Sequence, residues 1–505
     1  MPPVPLPIKV ASYMPDLPDF QNPGSPNARN VLPRTANSFG PIGSPVVFSG
    51  SALTARCQGA AAFIDPSGNS YQFAGDVNDL YRFASNSWSK VSKSAGAYSV
   101  PGTGQWRFEY FNGVVYATDY NDPIQAWTLG GSAAFADAPG APPKARYLAA
   151  VRGFLMLGGT SDPSFGQQPQ RVWWSAAGNP GSWPTPGSVA AAQAMSSYND
   201  LTGSVGWIQG VVGNLGNADG AVFMEHAVYR IAFAGPPNVF DFLPAEGVRG
   251  CPAPGSIIQL GALVYYLGED GFYAFDGASS TPIGVDQVDK TFFADLDQNN
   301  IARVCAAVDP INKIIFWAYP GRGNTGGNPN HVLAYRWDLG RWSILDLTLE
   351  FMVRLLTVGY TLDELYTVLG YAIDALPAPL DSRVWTGGLV ALGLFDTSHR
   401  LNYLTGGNLP ATVDSGELQP FAGKRALVSS ARPWVDGGTP SIAIGRRDRM
   451  TDPVRFTTAA AMNAFGTCPQ RTTGRYLRTR LTMPAGAAWS NLVGLELDLE
   501  PRGER

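Results

Sequence analysis

Three histidines, His226, His331 and His399, are the residues whose type best suits catalysis or metal binding, and they lie 105 and 68 residues apart. Protein zinc sites commonly take two ligands from one short motif such as HExxH, and this sequence contains no such pair. A zinc site would therefore need distant histidines to converge. We instead expect each histidine to be a surface residue or a hydrogen-bonded core residue.

Two segments match part of a ligand-binding motif. GRGNTG at 321–326 follows a strand pattern but leads into Gly-Asn-Pro-Asn, whereas a dinucleotide site needs the N-terminus of a helix. We therefore predict a long hairpin loop there. The segment 295–306 begins with the spacing of a calcium loop, but Asn300 replaces the required glycine and Ala306 replaces the final glutamate. We predict no metal at this segment.

Glu269 and Asp270 could serve as paired carboxylates, but Gly271 beside them is typical of a solvated tight turn. The sequence also contains neither a GxSxG nucleophile elbow nor a Walker loop. A propeller hydrolase could assemble its site from scattered loops, so an enzyme is unsupported by motifs and not excluded by them. Our prediction is a protein that is not an enzyme, with no catalytic residue, no cofactor and no bound metal.

The composition indicates which elements must position these residues. Of 505 residues, 58 are Gly and 41 are Pro, and only 15% are charged. A charged share of about 25% is typical of globular proteins, and long exposed helices need many Glu, Lys and Arg. With 25 Phe, 20 Tyr and 13 Trp, the chain can build large cores. We predict an all-β protein rich in turns, with two to four domains or one long closed β fold.

Several classes of protein are disfavoured by simple features. The net charge of −4 excludes a strongly basic nucleic-acid coat. No segment approaches 18 uninterrupted apolar residues, and the opening MPPVPLPIKV lacks the apolar region of a secretory signal. The four cysteines are far apart, so we expect buried thiols in a reducing compartment and no disulfide framework. They are Cys57, Cys251, Cys305 and Cys468.

The N-terminal part of the chain predicts an arm followed by a β-propeller. Residues 1–45 contain eleven prolines, which favour an extended arm lying against a surface, with a floppy linker as the alternative. Residues 46–347 show short strands and turns, with the strongest hairpin signal at Asn112-Gly113. Small turns ending in tryptophan recur at Trp88, Trp183 and Trp342. This spacing fits five to seven irregular blades of about 40–50 residues, and a series of β-sandwiches is the alternative.

The remaining sequence predicts a junction and a second β domain. A capping-box pattern over 361–370 predicts a short helix within a junction at 348–376. Period-2 alternation then favours a C-terminal β-sandwich-like domain at 377–505. In one of its strands Arg478 and Arg480 alternate with leucines. We expect them to form cross-strand ion pairs with Glu496 and Asp498.

Charge is distributed unevenly between the two parts of the chain. Residues 421–505 contain twelve Arg and one Lys against seven acidic residues, a local charge of +6, which leaves −10 for the preceding 420 residues. A basic end suits an acidic partner or a phosphate backbone. Arg446, Arg447 and Arg449 have only Asp448 beside them in IGRRDRM. They are therefore our candidate contacts for assembly or DNA, and Arg446→Glu with Arg447→Glu is expected to leave the fold intact.

Four segments resemble the tail nozzle, or packaged-DNA stabilisation, proteins of short-tailed bacteriophages. They are YMPDLPDFQNPGSPNARNVLPRTANSFGPI near the start, YRWDLGRWSIL, DALPAPLDSRVWTGGLVALGLFDTSHRLNYLTG and GRYLRTRLTMPAGAAWSNLVGLELDLEPRGER at the end. The resemblance runs nearly end to end, and its most specific parts are the N-terminal segment and residues 374–406. No catalytic motif carries it.

The resemblance implies a structural virion protein. Six copies would form a ring below the portal and the tail adaptor protein, next to tail fibre, spike or needle proteins. Double-stranded DNA would pass through the lumen without sequence recognition. It also implies a location in the virion tail, and in the host cytoplasm during assembly.

A different class of function has its own motivation in the aromatic residues. Trp106, Trp173 and Trp174 could stack on sugar rings. The alternative hypothesis is therefore a β-propeller that binds or degrades bacterial surface polysaccharide. The simpler interpretation of Trp173-Trp174 places one tryptophan in the core and the other at an interface.

Overall fold

The computed structural model describes residues 4–357 and 390–503, together with a few isolated positions between them. The N-terminal arm is ordered and contains five short strands. They are β1 (Val4–Lys9), β2 (Asn27–Arg29), β3 (Val31–Thr35), β4 (Ser38–Pro41) and β5 (Val46–Val47). β5 belongs to the propeller, as described below, whereas β1, β2 and β4 pair with strands of the C-terminal domain and β3 pairs with β4.

Seven sets of four antiparallel strands follow the arm and form the blades of a β-propeller. Blade 1 comprises β6 (Gly59–Ile64), β7 (Ser70–Gly75), β8 (Leu80–Ala84) and β9 (Ser87–Lys90). Blade 2 comprises β10 (Arg107–Phe111), β11 (Val114–Thr118), β12 (Gln125–Thr128) and β13 (Ala136–Asp137). Blade 3 comprises β14 (Lys144–Val151), β15 (Phe154–Asp162), β16 (Gly166–Trp174) and β17 (Ser197–Asp200), with helix α1 (Val189–Ala194) before its last strand.

The next three blades repeat this order. Blade 4 comprises β18 (Ile208–Gly213), β19 (Gly220–Met224), β20 (Val228–Gly235) and β21 (Val239–Glu246). A 3-10 helix (Pro254–Ser256) leads into blade 5, which comprises β22 (Ile258–Leu260), β23 (Leu263–Leu267), β24 (Phe272–Phe275) and β25 (Ser280–Pro282). Helix α2 (Asp289–Asp295) and a second 3-10 helix (Gln298–Arg303) precede blade 6. Blade 6 comprises β26 (Cys305–Asp309), β27 (Ile314–Tyr319), β28 (His331–Arg336) and β29 (Arg341–Asp346).

The seventh blade closes the ring with strands from both ends of the propeller. It comprises β30 (Phe351–Leu356), β31 (Val390–Phe395), β32 (Leu401–Tyr403) and the arm strand β5. β5 pairs with β32 through Asn402↔Val47 and Tyr403↔Val46. The inner strand β30 also packs against β6 of blade 1. Because the outermost strand of the last blade comes from the start of the chain, the circle is held shut by main-chain hydrogen bonds.

The C-terminal domain is a β-sandwich to which the arm contributes. Its own strands are β33 (Ala411–Asp414), β34 (Ala426–Val435), β35 (Ser441–Arg447), β36 (Arg455–Phe456), β37 (Ala460–Ala461), β38 (Cys468–Gly474), β39 (Tyr476–Met483) and β40 (Leu492–Pro501). One sheet has six strands, in which β1, β3 and β4 of the arm join β40, β34 and β38. The buried residues of the two sheets form one hydrophobic core.

The other sandwich sheet is continuous with blade 6. β2 lies parallel to β29 through Arg29↔Ile344 and antiparallel to β33 through Asn27↔Asp414. The result is a ten-stranded sheet that runs from β26 in the propeller to β36 in the sandwich. A short arm strand therefore joins the two domains by hydrogen bonds on both of its edges.

The architecture confirms the all-β class, the propeller and the sandwich-like C-terminal domain, and the seven blades fall within the predicted range. The domain boundaries differ from those predicted. Residues 351–356 and 390–403 belong to blade 7, so the propeller extends past 347 and the sandwich begins at Ala411. The reason is that the last blade is completed by pairing with distant β5, which no local pattern shows. The helix predicted at 361–370 lies almost entirely outside the described residues.

Local turn signals were informative to different degrees. Asn112 and Gly113 both have positive φ, at 50° and 83°, as the two-residue turn between β10 and β11 requires. Trp88 and Trp342 each occupy the second position of the fourth strand of a blade. Trp183 instead lies between β16 and α1, within the extended connection of blade 3. Two of the three tryptophan turns, at Trp88 and Trp342, therefore lie at equivalent positions in their blades, and the turn at Trp183 does not.

Asp289, the first residue of α2, is a buried carboxylate close to the centre of the fold. Its Oδ1 accepts a hydrogen bond from the Phe272 N–H at 3.1 Å, whereas Oδ2 has no hydrogen-bond partner among the described residues. Burial raises the pKa of Asp289 to about 7, and the charges of Asp16 and Asp270 add to this effect. The folded protein therefore favours the protonated acid.

We expect Asp289→Asn to stabilise the protein by about 1–3 kcal/mol at about pH 8, because it removes a buried charge that is incompletely hydrogen-bonded. The unfolded chain releases this proton near the ordinary value of 3.8 and the folded chain near 7. The contribution of protonated Asp289 to stability is therefore fully present below its pKa in the unfolded chain. That contribution is lost as pH rises through its pKa in the folded protein. Urea unfolding should show a smaller gain at about pH 5, and an equal gain at both pH values would contradict the assignment.

Candidate functional site

Arg446 lies at the open end of the sandwich, where the hydrophobic core stops. It follows Ile442 and Ile444 on the same face of β35, and both isoleucines are fully buried in the core. The Arg446 side chain is exposed, and its Nη1 donates to the Thr473 carbonyl at 3.2 Å. Among the described residues no carboxylate lies within 4.0 Å of its guanidinium. Arg446 is therefore exposed, and its role as a contact residue stays a prediction.

Arg447 points to the opposite face of β35 and has an internal partner. Its Nε donates to Glu417 Oε1 at 2.7 Å, and its Nη2 contacts the other oxygen of the same carboxylate. The side chains are 13% and 1% exposed, so this is a largely buried ion pair. Hydrogen bonding to Glu417 raises the pKa of Arg447 above its usual value.

The pairing of Arg447 corrects one expectation about the double substitution. Arg447→Glu would place two carboxylates together in a buried position, which costs several kcal/mol. A double variant that includes this change would therefore not leave the fold intact. Arg447 is better described as a residue that holds Glu417, and through it the turn after β33, against β35.

Arg449 lies in the exposed turn that follows β35. Its backbone N–H donates to Asp452 Oδ2 at 3.0 Å, which fixes the turn and leaves the side chain in solvent. The carboxylate of the neighbouring Asp448 accepts hydrogen bonds from the Arg425 guanidinium, at 2.6 Å, and from the backbone N–H of Arg475. The acid beside the three candidate arginines therefore neutralises a fourth arginine instead of them.

Arg455, which the sequence pattern did not single out, completes the site. It lies directly opposite Arg446 in the β35–β36 pair, and both side chains are exposed. Arg446, Arg447 and Arg455 line a shallow cavity of about 250 Å³. Like charges directly opposite each other on neighbouring strands are destabilising. We call Arg446, Arg449 and Arg455 the basic rim. The 448–454 connection brings Arg455 opposite Arg446, and the charge run IGRRDRM does not reveal this pairing.

The ion pairs expected between Arg478 or Arg480 and the acids of β40 are wrong. Arg480 donates from Nε and Nη2 to Asp414, each at 2.8 Å, and Arg478 donates to the same carboxylate at 2.9 Å. Arg478 also reaches Asp19 of the arm, at 2.8 Å. The reason is topological: β39 pairs with β33 and β35, whereas β40 belongs to the other sheet of the sandwich.

The histidines and partial motifs have ordinary structural partners. His226 and His399 each contact one carboxylate, Glu269 and Glu350, and His331 lies between two, Asp295 and Asp346. GRGNTG lies in the hairpin loop between β27 and β28, as expected. Asp297 accepts hydrogen bonds from Asn299, Asn300 and Asn324. In the described part of the chain, no group of three or more His, Cys, Asp or Glu residues is placed to hold a metal ion.

The state of the cysteines and the lengths of the helices also bear on the sequence expectations. Cys57, Cys251, Cys305 and Cys468 are all buried and free, as predicted. Burial raises the pKa of the Cys251 thiol to about 11, so it stays protonated at neutral pH. No helix within the described ranges is long and apolar enough to cross a membrane.

The tryptophans proposed to stack on sugars are buried. Trp106 and Trp174 are 2% and 1% exposed, and their indole N–H groups donate to the carbonyls of Asp76 and Met195. Trp173 is 6% exposed, and its indole N–H has no partner among the described residues. It lines a groove of about 790 Å³ together with Trp183 and the exposed Phe165. Trp106 also lines a cavity, of about 320 Å³, together with Phe63 and Phe108.

Comparison with known proteins finds only distant structural neighbours. No protein-family model and no curated protein sequence matches this chain. A chain of the crystal structure of the mitotic checkpoint complex is similar, with a TM-score of 0.36 and 8% identity over 66% of this chain and 86% of that chain. The computationally designed Ika8 protein has a TM-score of 0.36 and 7% identity over 72% of this chain and 100% of that chain. The WD40 domain of Neurospora crassa Pan2 has a TM-score of 0.36 and 6% identity over 70% and 91%. Likenesses at this level carry no argument about function, and the propeller is established by its strand pairing.

Proposed function

We propose that this protein is a structural subunit of the tail nozzle of a short-tailed bacteriophage. Six copies form a ring that extends the portal and adaptor channel, retains packaged DNA and conducts it at ejection. The proposal begins from the resemblance of four sequence segments. The observation that carries it further is the basic rim, in which two exposed arginines face each other and, among the described residues, neither has a carboxylate within 4.0 Å, although Asp448 and Asp452 line the same cavity.

An uncompensated pair of arginines is suited to an anionic partner outside the subunit. Arg446 and Arg455 repel each other in the isolated chain, and an external phosphate or carboxylate would relieve that repulsion. Guanidinium groups bind both kinds of anion in a bidentate way. DNA phosphates and an acidic patch on a neighbouring subunit or adaptor protein are therefore the partners that this surface fits.

The connection between the two domains also suits a load-bearing subunit. A continuous ten-stranded sheet joins propeller and sandwich, and the arm strand β2 is hydrogen-bonded on both edges within it. Two domains joined in this way move together. A net-acidic body with a small basic rim would also allow DNA to pass, since a strongly basic lumen would bind it too tightly to release it.

We expect Arg446→Glu with Arg455→Glu to weaken ring assembly or DNA retention while leaving the fold intact, because both side chains are exposed. If the rim contacts DNA, loss of two phosphate contacts should reduce the slope of log affinity against log salt by about 2. Mass measurement of assembled rings, DNA leakage from particles and salt-dependent DNA binding would test this. Arg432→Glu, at an exposed position of β34 outside the rim, is the matched control.

Two results would count against the proposal. Wild-type ring yield, DNA retention and salt slope in the double variant would show that the basic rim is not a contact surface. A chain that stays monomeric in the presence of portal, adaptor and other tail proteins would contradict the nozzle itself.

The glycan hypothesis keeps one specific observation in its favour. The groove beside Trp173 and Trp183 combines aromatic surface with the exposed ring of Phe165, which suits stacking on a sugar ring. A glycan array combined with a hydrolysis assay separates the two hypotheses. Binding or cleavage that Trp183→Ala abolishes would favour the glycan function, and the absence of both would remove it.

A further inference from the structure

A polar cavity lies at the mouth of the propeller channel, apart from the basic rim. Arg107 begins β10, the inner strand of blade 2, and Arg146 lies near the start of β14, the inner strand of blade 3. Because inner strands surround the axis of a propeller, both side chains are near the channel. They line the same cavity, which has a volume of about 280 Å³.

Neither guanidinium is neutralised by the protein. Among the described residues, no carboxylate lies within 4.0 Å of Arg107 or Arg146, and neither side chain makes a hydrogen bond. Arg146 instead lies over the rings of Tyr120 and Trp207, at 4.4 and 5.0 Å, and its buried Nε has no partner. Arg107 lies 5.8 Å from the ring of Tyr147.

Leaving two such groups unpaired is costly. Both side chains are half-buried, burial lowers the pKa of Arg107, and no carboxylate lies within 4.0 Å of either guanidinium among the described residues. Buried charges in proteins are normally paired or bound to a ligand. The same cavity therefore has the character of a binding site whose anion comes from outside the chain.

The cavity also offers hydrogen-bond acceptors. Asp119 is 5% exposed, and while its Oδ1 accepts the Asp122 N–H, its Oδ2 has no partner. Gln105 donates its side-chain amide to the Ala302 carbonyl, and its Oε1 is likewise unpartnered. Both residues line the cavity. An anion alone would not use these oxygens, whereas the hydroxyl groups of a larger ligand would.

Two more arginines give the same face a positive potential. Arg56 and Arg303 lie shortly before the inner strands β6 and β26, and Arg107 begins the inner strand β10. Arg56 donates to the Gly102 carbonyl, and Arg303 donates to Asn328. After burial, the charge of Arg303 is the next cause that lowers the pKa of Arg56, so the two positive charges influence each other. Such a face attracts anions toward the channel.

We propose that the channel mouth binds a small hydroxylated organic anion. Arg107 and Arg146 hold its phosphate or carboxylate group, the rings of Tyr120 and Tyr147 flank it, and Asp119 and Gln105 accept hydrogen bonds from its hydroxyls. Sugar phosphates and sugar acids share this chemistry. The site is independent of the nozzle proposal, since it uses none of the residues of the basic rim.

Isothermal titration calorimetry of the full chain tests the proposal with three probes: glucose 6-phosphate, glucuronate and inorganic phosphate. We expect at least one hydroxylated probe to bind more tightly than inorganic phosphate. Arg107→Gln should weaken that binding by about tenfold or more, as expected for a lost charge-assisted hydrogen bond. Asp119→Asn should weaken the hydroxylated probe and spare inorganic phosphate. Arg432→Gln, on the exposed surface of the sandwich, should change neither.

The thermal melt of the ligand-free variants separates binding from a structural role. Because Arg107 has no acceptor to lose, Arg107→Gln should melt no lower than the wild type. If that variant fails to fold, the titration is repeated with Arg146→Gln. Equal binding by wild type and variants, or no binding of any probe to the wild type at millimolar concentration, would overturn the proposal. Tightest binding of inorganic phosphate would also overturn it, because the hydroxyl acceptors would then have no role.

Discussion

Asp414→Asn is expected to lower the free energy of unfolding by about 3 kcal/mol. The Asp414 carboxylate is fully buried and is shared by the guanidinium groups of Arg478 and Arg480. Asparagine keeps the shape but removes the charge, so two arginines lose their common counter-ion. The cost should lie at the lower end for a broken buried ion pair, because the Arg480 side chain is 38% exposed and can regain water.

Urea unfolding followed by circular dichroism would measure this loss. Glu500→Gln is the matched control, since it removes the acid of the Arg502–Glu500 pair, whose side chains are 52% and 31% exposed. An exposed pair contributes less than about 1 kcal/mol. If the two variants lost equal stability, burial of Asp414 would not be the reason for its effect.

The same strand shows what the sequence could and could not predict. Alternation along β39 placed Leu477 and Leu481 on the buried face and Arg478 and Arg480 on the other, as the structure has them. It could not identify the neighbouring strand. A period-2 pattern specifies the faces of a strand, whereas its partners depend on how distant segments pair. Asp414 lies more than sixty residues before the arginines that it binds.

The propeller shows the same difference between features set by local sequence and features set by distant pairing. The hairpin at Asn112-Gly113 is set by two residues with positive φ, so local chemistry was enough to predict it. Closure of blade 7 depends on β5 meeting β32 across more than 350 residues. A boundary drawn from local patterns therefore ended the propeller one blade too early.

The candidate site was predicted in part for a similar reason. The charge run 446–449 correctly indicated exposed arginines at 446 and 449. It included Arg447 because the sequence does not show which strand end carries Glu417. It omitted Arg455 because the pairing of β35 with β36 brings that residue opposite Arg446. Whether an arginine side chain is exposed follows from local alternation and turns. Whether its charge is neutralised depends on neighbours that are distant in the sequence.

Deletion of residues 1–45 is expected to unfold the sandwich while leaving most of the propeller strands intact. The arm supplies β1 to β4, and its Tyr13, Val31 and Phe39 are buried in the hydrophobic cluster that joins the sandwich to blades 5 and 6. Loss of each large core side chain costs about 2–5 kcal/mol, so the total would exceed the usual stability of about 5–15 kcal/mol. Limited proteolysis with mass spectrometry should find new cleavage sites within 411–503 and few within 59–346.

A shorter deletion provides the control for this experiment. Removal of residues 1–9 takes away only β1, an edge strand that pairs with β40 alone and is mostly exposed. That variant should keep a protected sandwich. Equal protease resistance of the two deletion variants would mean that β2 to β4 are as dispensable as β1.

The longer deletion should also affect blade 6, because a buried arginine of that blade depends on the arm. Arg341, on β29, is 5% exposed and donates hydrogen bonds to the carbonyls of Thr35 and Ser38, and it lies 4.5 Å from the ring of Phe39. Burial lowers the pKa of Arg341 to about 10, since no carboxylate among the described residues balances its charge. Without the arm, this guanidinium would lose the acceptors and the ring that make its burial tolerable. The arm is therefore a structural part of both domains, and damage from its loss should spread from the sandwich into β29 before it reaches the other blades.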